Sequence, residues 1–148
     1  MKIADEEILV REMKESDIEF LANIDRDISE EYRPEIWKSE MHYYLGKPES
    51  ICLVAETQGR VIGFMIGTIH PWLFGIEKAG WIEILGVDPV HRGKGIGKKL
   101  GETLFDNFKS KGVKMVHTAV NWTSGDLLEF FKTLGMDRSG LITLMKGL

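Results

Sequence analysis

The chain has 148 residues, 43% of them hydrophobic and 28% charged, with a formal net charge of −4. That length fits a single domain spanning 1–148, and that composition belongs to a folded globular protein rather than a disordered one. One cysteine excludes an internal disulfide, no apolar run reaches the ~18 residues of a membrane span, and the acidic start carries no signal-peptide pattern, so a cytoplasmic protein that does not enter membranes is expected.

Ile8 to Glu12 alternates and reads as a first strand. Ser16 precedes Glu19 by three residues, a capping-box pattern that opens a helix with Phe20, Leu21, Ile24 and Ile28 on one side. A second helix is expected from Pro34 to Leu45, with proline in its first turn and Gly46 beyond its end. Ile51–Thr57 and Val61–His70 read as strands joined by a Gln58-Gly59 hairpin turn. Cys52 lies in the first of them and reads as a small buried hydrophobe. After a loop at Pro71–Gly75, another strand covers Gly80–Val87.

Ile96, Leu100, Leu104 and Phe108 recur every four residues, which predicts a helix ending before Gly112. Met115–Val120 follows as a strand. Leu127, Phe130, Phe131 and Leu134 stripe a last helix that stops at Gly135, and a final strand covers roughly Leu141–Lys146. The order βααβββαβαβ describes an α/β protein with a mixed sheet and helices on both faces.

Charge is distributed unevenly along this order. Residues 1–50 carry 14 Asp/Glu against seven Lys/Arg, whereas residues 91–148 carry five against ten. A basic C-terminal part suits a phosphate-bearing ligand and an acidic N-terminal part a cationic one, although solvated helix faces give the same counts.

The segment richest in chemistry is Val87-Asp88-Pro89-Val90-His91-Arg92-Gly93-Lys94-Gly95-Ile96-Gly97-Lys98, between a strand and a helix. Glycines at 93, 95 and 97 allow close backbone approach and positive φ. Free N–H groups of the first helical turn, at the positive end of the helix dipole, make an anion site, and Lys94, Lys98 and Lys99 add charge around it. A pyrophosphate is the natural guest. A Walker loop would need glycine where Arg92 stands, and a dinucleotide fingerprint would need it at Lys98 or Leu100, so both nucleotide readings fail on spacing.

Arg92-x-x-Gly95-x-Gly97, preceded by Val87-Asp88-Pro89, resembles the signature of the GNAT acetyltransferase superfamily. Phe130 to Met136 is similar to the end of that family's last helix. The resemblance implies the family's acyl-coenzyme A N-acyltransferase fold, with acetyl-coenzyme A as cosubstrate and an amine as acceptor, and no nucleic-acid partner. It implies that backbone amides of Gly93, Lys94, Gly95, Ile96, Gly97 and Lys98, with Arg92 beside them, hold the coenzyme A pyrophosphate. Leu85, Gly86 and Val87 would border the pantetheine arm, with the strand splayed at a bulge expected at Gly86. Ser124 takes the place of a coenzyme-contacting asparagine, or else caps its helix.

Acetyl transfer to an amine needs a positioned nucleophile, a proton acceptor and stabilisation of the oxyanion. Glu83 is the base implied by the resemblance, on a strand face shared with Trp81 and Leu85. An exposed carboxylate is a weak base, so the role calls for burial or an intervening water. His117 is the alternative. Phe131 stands where relatives often carry a proton-donating tyrosine, so either water, another residue or no specific acid serves the leaving thiolate. Only twelve residues follow Met136, so the last strands are either abbreviated or completed by a partner subunit in a homodimer. His42, His70 and His91 show no metal-ligand spacing, and no metal is expected. Asp25, Asp27, Glu30, Glu31 and Glu35, in the region that borders the acceptor in relatives, point to a cationic amine. Two other readings stay open: a coenzyme A-binding sensor with little turnover, and transfer of a longer acyl group.

Overall fold

The structure, a computed structural model, describes residues 7–75 and 77–148. Five strands form one sheet in the order of the chain: β1 (Leu9–Glu12), β2 (Ser50–Thr57), β3 (Arg60–Trp72), β4 (Glu77–Val87) and β5 (Met115–His117). The first three pairings are antiparallel and β4–β5 is parallel, so the sheet is mixed as the sequence implies. Gln58 and Gly59 both have positive φ, at 50° and 75°, as a two-residue hairpin turn requires to match the strand twist.

Helices α1 (Ile18–Ser29) and α2 (Pro34–Tyr44) follow β1. The entry to α1 is set by Asp17 rather than Ser16. A 3-10 turn, Glu15–Asp17, comes first, and the Lys14 amide donates to Asp17 Oδ2 at 2.8 Å. Arg11 grips both oxygens of the same carboxylate, at 2.8 and 2.9 Å. Burial alone would raise the Asp17 pKa, but the bonds from Arg11 and the Lys14 amide outweigh it and hold the carboxyl below its ordinary range.

One face of the sheet packs on α1 and α2 through Ile18, Leu21, Ile24, Met41, Phe64 and Ile66. Phe20 is only partly buried there, and Ile28, placed on that stripe by periodicity, is exposed. The opposite face receives α3 (Ile96–Ser110), whose Ile96, Leu100, Leu104 and Phe108 are buried at the expected spacing. Close approach is possible because the sheet offers glycine there. A Cβ at Gly67 would stand 2.7 Å from Phe108 Cζ and 2.8 Å from Leu104 Cδ1. Overpacking of that kind costs about 1–3 kcal/mol.

The contacts divide the chain after Thr118, and Ala119–Leu148 forms a second compact unit. It contains α4 (Gly125–Thr133), which ends as the sequence predicts. Gly135, at φ 81°, donates to the Lys132 carbonyl, and the Met136 amide donates to that of Phe131, the bonding of a Schellman cap.

Two expectations are corrected. β5 stops at His117 instead of Val120, and residues 134–148 contain no strand. A strand exists only where its amides and carbonyls meet a neighbouring ladder, and no residue of that stretch has one among the described residues. Leu141, Ile142, Leu144 and Met145 are exposed instead. No helix among the described residues is long and apolar enough to cross a membrane.

Candidate active site

β4 positions the chemistry because its two edges are treated differently. Along β3 the pairing runs regularly from Gly63↔Val87 to Ile66↔Ile84, and then Gly67 faces Ile82, which leaves Glu83 as the extra residue of a β-bulge. The bulge therefore lies at Glu83 and not at Gly86. Gly86 pairs in register with Phe64, and a Cβ on it would meet the Phe64 ring at 2.7 Å, so the glycine makes room for a core aromatic.

Along its other edge β4 pairs with β5 only from Ala79 to Trp81. The Thr118 hydroxyl then donates to the Ile82 carbonyl at 3.0 Å. From Glu83 to Val87 that edge has no ladder partner among the described residues. Unpaired strand backbone of this kind accepts an extended ligand as though it were another strand. Leu85, Gly86 and Val87, the residues expected to border a pantetheine arm, all lie on it.

Glu83 shares a face with Trp81 and Thr68, which stand opposite each other in the register. The extra residue reverses the alternation after it. Ile84 packs on the α1–α2 core, so Leu85 turns to the α3 side and does not share the face of Glu83, contrary to the regular alternation read from sequence. The Thr68 hydroxyl donates to Glu83 Oε1 at 2.6 Å, and His70 Nε2 lies 3.1 Å from the same oxygen and 2.8 Å from Thr68 Oγ1. These groups open on a cavity of about 1100 Å³ whose wall also includes Tyr44 and Ser50. Burial, and then the negative charges of Glu83 and Glu40, push the Tyr44 phenol above its ordinary pKa.

His117, the alternative base, is stacked on Trp81 at 5.1 Å between centroids and lies 5.2 Å from the Trp72 ring. His117, Trp72 and Trp81 thus form one aromatic cluster. The acidic residues assigned to the acceptor side are not on the cavity wall. Asp25 is bound by Arg33 at 2.9 Å and by the Trp37 indole, while Asp27, Glu31 and Glu35 have cationic neighbours within 4 Å. The carboxylates that do line the cavity are Glu49, Glu77 and Glu83, and Lys47, Lys78 and Lys111 line it as well.

The anion loop is built from Asp88 onward. Asp88 is buried, its amide donates to the Ile62 carbonyl at 2.8 Å, and its side chain accepts from Val90 N at 3.1 Å, which fixes the 3-10 turn Pro89–His91. Gly93 and Gly95 follow with φ of 79° and 76°, and a Cβ at either would meet nothing within 4 Å. Gly95 is the N-cap of α3 and no side chain caps this end, so the amides of Ile96, Gly97 and Lys98 are free to bind a ligand. Buried Ile96 anchors the turn.

Of the lysines expected around the loop, Lys99 reaches away to the Ile8 carbonyl, and Lys98 lies 3.9 Å from Glu102. Among the described residues, Arg92 and Lys94 have no carboxylate within 4 Å. Open glycine surface, uncapped amides and uncommitted cations together fit a pyrophosphate. In the second unit, Ser124 is the N-cap residue of α4, but its hydroxyl makes no capping bond.

Sequence reasoning missed Thr68 and His70. Their alternation on β3 places them on one face, but only the register shows which residue of β4 they meet.

An open strand edge that begins at a carboxylate leads to an uncapped helix start, an arrangement that suits an extended acyl donor bearing a phosphate group. Comparison with known proteins agrees. The acetyltransferase (GNAT) family model matches residues 18–136. An N-acetyltransferase of Methanocaldococcus jannaschii, described as uncharacterised, is 30% identical over 75% of this chain and 50% of its own length. A mycothiol acetyltransferase of Amycolatopsis mediterranei is 32% identical over 57% of this chain and 29% of its own. The chain thus spans half or less of these relatives. The aminoglycoside N-acetyltransferase AAC(6')-Iy in complex with CoA superposes with a TM-score of 0.84 at 15% identity, over 99% of each chain. The chain belongs to the acetyltransferase (GNAT) family, a class of acyltransferases that use acetyl-coenzyme A as cosubstrate.

Proposed function

We propose that this chain is an N-acetyltransferase that moves the acetyl group of acetyl-coenzyme A onto a primary amine by direct attack in a ternary complex. The observation that carries the reading is the outer edge of Glu83–Val87, which has no ladder partner among the described residues, with a carboxylate at its start and the uncapped helix end soon after it. The amides of residues 93–98 hold the pyrophosphate, assisted by Arg92 and Lys94. The pantetheine lies along Leu85, Gly86 and Val87 and brings the thioester toward Glu83.

The amine enters the cavity at Thr68, His70 and Glu83. An alkylamine is protonated at pH 7, and removing that proton costs roughly 4 kcal/mol for a pKa of about 10. Glu83 takes the proton, directly or through a water. The neutral nitrogen attacks the thioester carbonyl, and backbone N–H groups of the open edge stabilise the oxyanion. The carbon–sulfur bond then breaks, the nitrogen loses its second proton to water, and water protonates the departing thiolate.

The acceptor is a cationic small molecule or peptide amine. The cavity wall balances three lysines against three glutamates, so preference for a cation arises at the Glu83 carboxylate itself. A mass-spectrometric screen with acetyl-coenzyme A against spermidine, lysine amide, neamine and acidic or neutral amino acids tests the reading. Acetylation of the cationic amines is expected. Saturable binding of acetyl-coenzyme A without turnover of any amine would make the chain a sensor, and preference for a longer acyl-coenzyme A would change the donor.

A further inference from the structure

Three polar atoms, contributed by β3 and β4, form a closed triangle on the cavity wall. Thr68 Oγ1 is 2.6 Å from Glu83 Oε1 and 2.8 Å from His70 Nε2, and the third side, His70 Nε2 to Glu83 Oε1, is 3.1 Å. Close approach of oxygen or nitrogen lone pairs requires a proton on each short side. The Thr68 hydroxyl supplies one proton and can point along only one side. A second proton must therefore reside on Glu83 or on His70, so the spacing is that of the triangle once Glu83 has taken up a proton, not that of the waiting carboxylate. The Glu83 side chain is 31% exposed and that of His70 is 49% exposed, so the carboxylate is the inner end and the imidazole the outer one.

We propose that His70 receives, through the Thr68 hydroxyl, the proton that Glu83 removes from the acceptor amine, and releases it to solvent. This rests on Glu83 acting as the base of the acetyl transfer. Each step conserves protons. An N–H bond of the ammonium breaks and an O–H bond forms at Glu83 Oε1. With His70 in its Nδ1–H tautomer, Glu83 Oε1–H donates to Thr68 Oγ1 while Thr68 O–H donates to the bare Nε2. Both protons then shift by one position. Glu83 returns to carboxylate, Thr68 keeps a hydroxyl that now donates back to Glu83, and His70 becomes imidazolium. Water takes the proton from the half-exposed ring, the Thr68–His70 contact loosens as that proton leaves, and the carboxylate is ready for the next amine.

His117 does not substitute for His70, because it is stacked on Trp81 and has no hydrogen bond to Glu83. Thr68 and His70 are thus positioning and relay residues that act through Glu83, without touching the thioester.

The test uses the full chain, acetyl-coenzyme A and whichever of spermidine, lysine amide and neamine the wild type acetylates fastest. Thr68→Val and His70→Gln are each expected to lower kcat by roughly tenfold or more, with the acceptor KM within about twofold. Thr68→Ser, which keeps the hydroxyl, should recover most of the loss. Imidazole added to His70→Ala should raise its kcat in proportion to concentration, and should leave Glu83→Gln where it is. Wild-type kcat in both Thr68→Val and His70→Gln, with Glu83→Gln inactive, would overturn the relay and leave Glu83 as the base. A drop in His70→Ala that imidazole does not relieve would also overturn it. If Glu83→Gln turns over like wild type, or the wild type acetylates none of the three amines, the reading beneath the relay falls and the relay with it.

Discussion

Thr68 stands opposite Trp81 in the β3–β4 register, yet its hydroxyl lies 2.6 Å from Oε1 of Glu83, two residues further along β4. The bulge explains why a carboxylate can sit there. In a regular pairing residue 83 would oppose Ile66 and occupy the core position that Ile84 fills against α1 and α2. The extra residue keeps Ile84 in the core and leaves Glu83 on the cavity wall, at the point where the other edge of β4 loses its partner.

Replacing Glu83 by glutamine keeps the size and the bond from Thr68 but removes the base. The expected result is a fall in kcat on the order of 10²–10⁴-fold, with the Kd of acetyl-coenzyme A little changed. Steady-state kinetics beside titration calorimetry would separate the two effects. Wild-type turnover would pass the role to water alone or to another group.

Gly97 is in the first turn of α3, where the free amides point. Glutamate at this position places a side chain and a like charge where the pyrophosphate is expected. Gly97→Glu should abolish measurable acetyl-coenzyme A binding while the far-ultraviolet circular dichroism stays that of the wild type. Unchanged affinity in the folded variant would remove the loop as the anion site.

The layout was legible in the sequence wherever a local pattern decides the outcome. Four-residue recurrence gave α3, Gln58-Gly59 gave the hairpin, Gly135 gave the end of α4, and Arg92 to Lys98 gave the glycine loop that leads into α3. What was not legible depends on pairing between distant segments. The position of the bulge follows from how β3 and β4 align, and so does the meeting of Thr68 and His70 with Glu83. Asp17 displaced Ser16 at the entry to α1 because Arg11 of β1, six residues earlier, reaches its carboxylate, a contact that the capping pattern does not encode. The final strand failed for the same reason, since apolar residues at 141–145 signal the capacity to pair but not the presence of a partner.

Asp17 also makes stability depend on pH. Its folded-state pKa is depressed, so its contribution is complete above the unfolded carboxyl value of about 4 and is lost as pH falls through the folded value. Asp17→Asn leaves Arg11 with Glu56 as its only carboxylate partner among the described residues and should cost about 2 kcal/mol at pH 7. The gap between variant and wild type should close progressively below about pH 4. Urea melts at pH 7, 5 and 3 would measure it, and a gap that grows on acidification would contradict the assignment.

The charge of the acceptor is tested last, because the structure moves its source. Glu30 and Glu31 looked responsible in the sequence, but they are absent from the cavity wall, whereas Glu49 and Glu77 are on it with Glu83. An exposed carboxylate near a binding site raises the local concentration of a cation, and salt screens the effect over a Debye length of about 8 Å. The same field favours the protonated amine, so it helps binding and opposes deprotonation, which places more of the work on Glu83. Lys47, Lys78 and Lys111 on the same wall limit the net gain. Glu49→Gln combined with Glu77→Gln should therefore raise KM for a cationic acceptor by roughly two- to fivefold at low salt, and by less at high salt. The KM for acetyl-coenzyme A should not move. Neutralising Glu30 and Glu31 together should do less than the cavity pair. The reverse ranking would return the recognition surface to α1 and its C-terminal end. A preferred acceptor that is neutral or anionic, or a KM indifferent to both pairs and to salt, would remove charge from the account of recognition altogether.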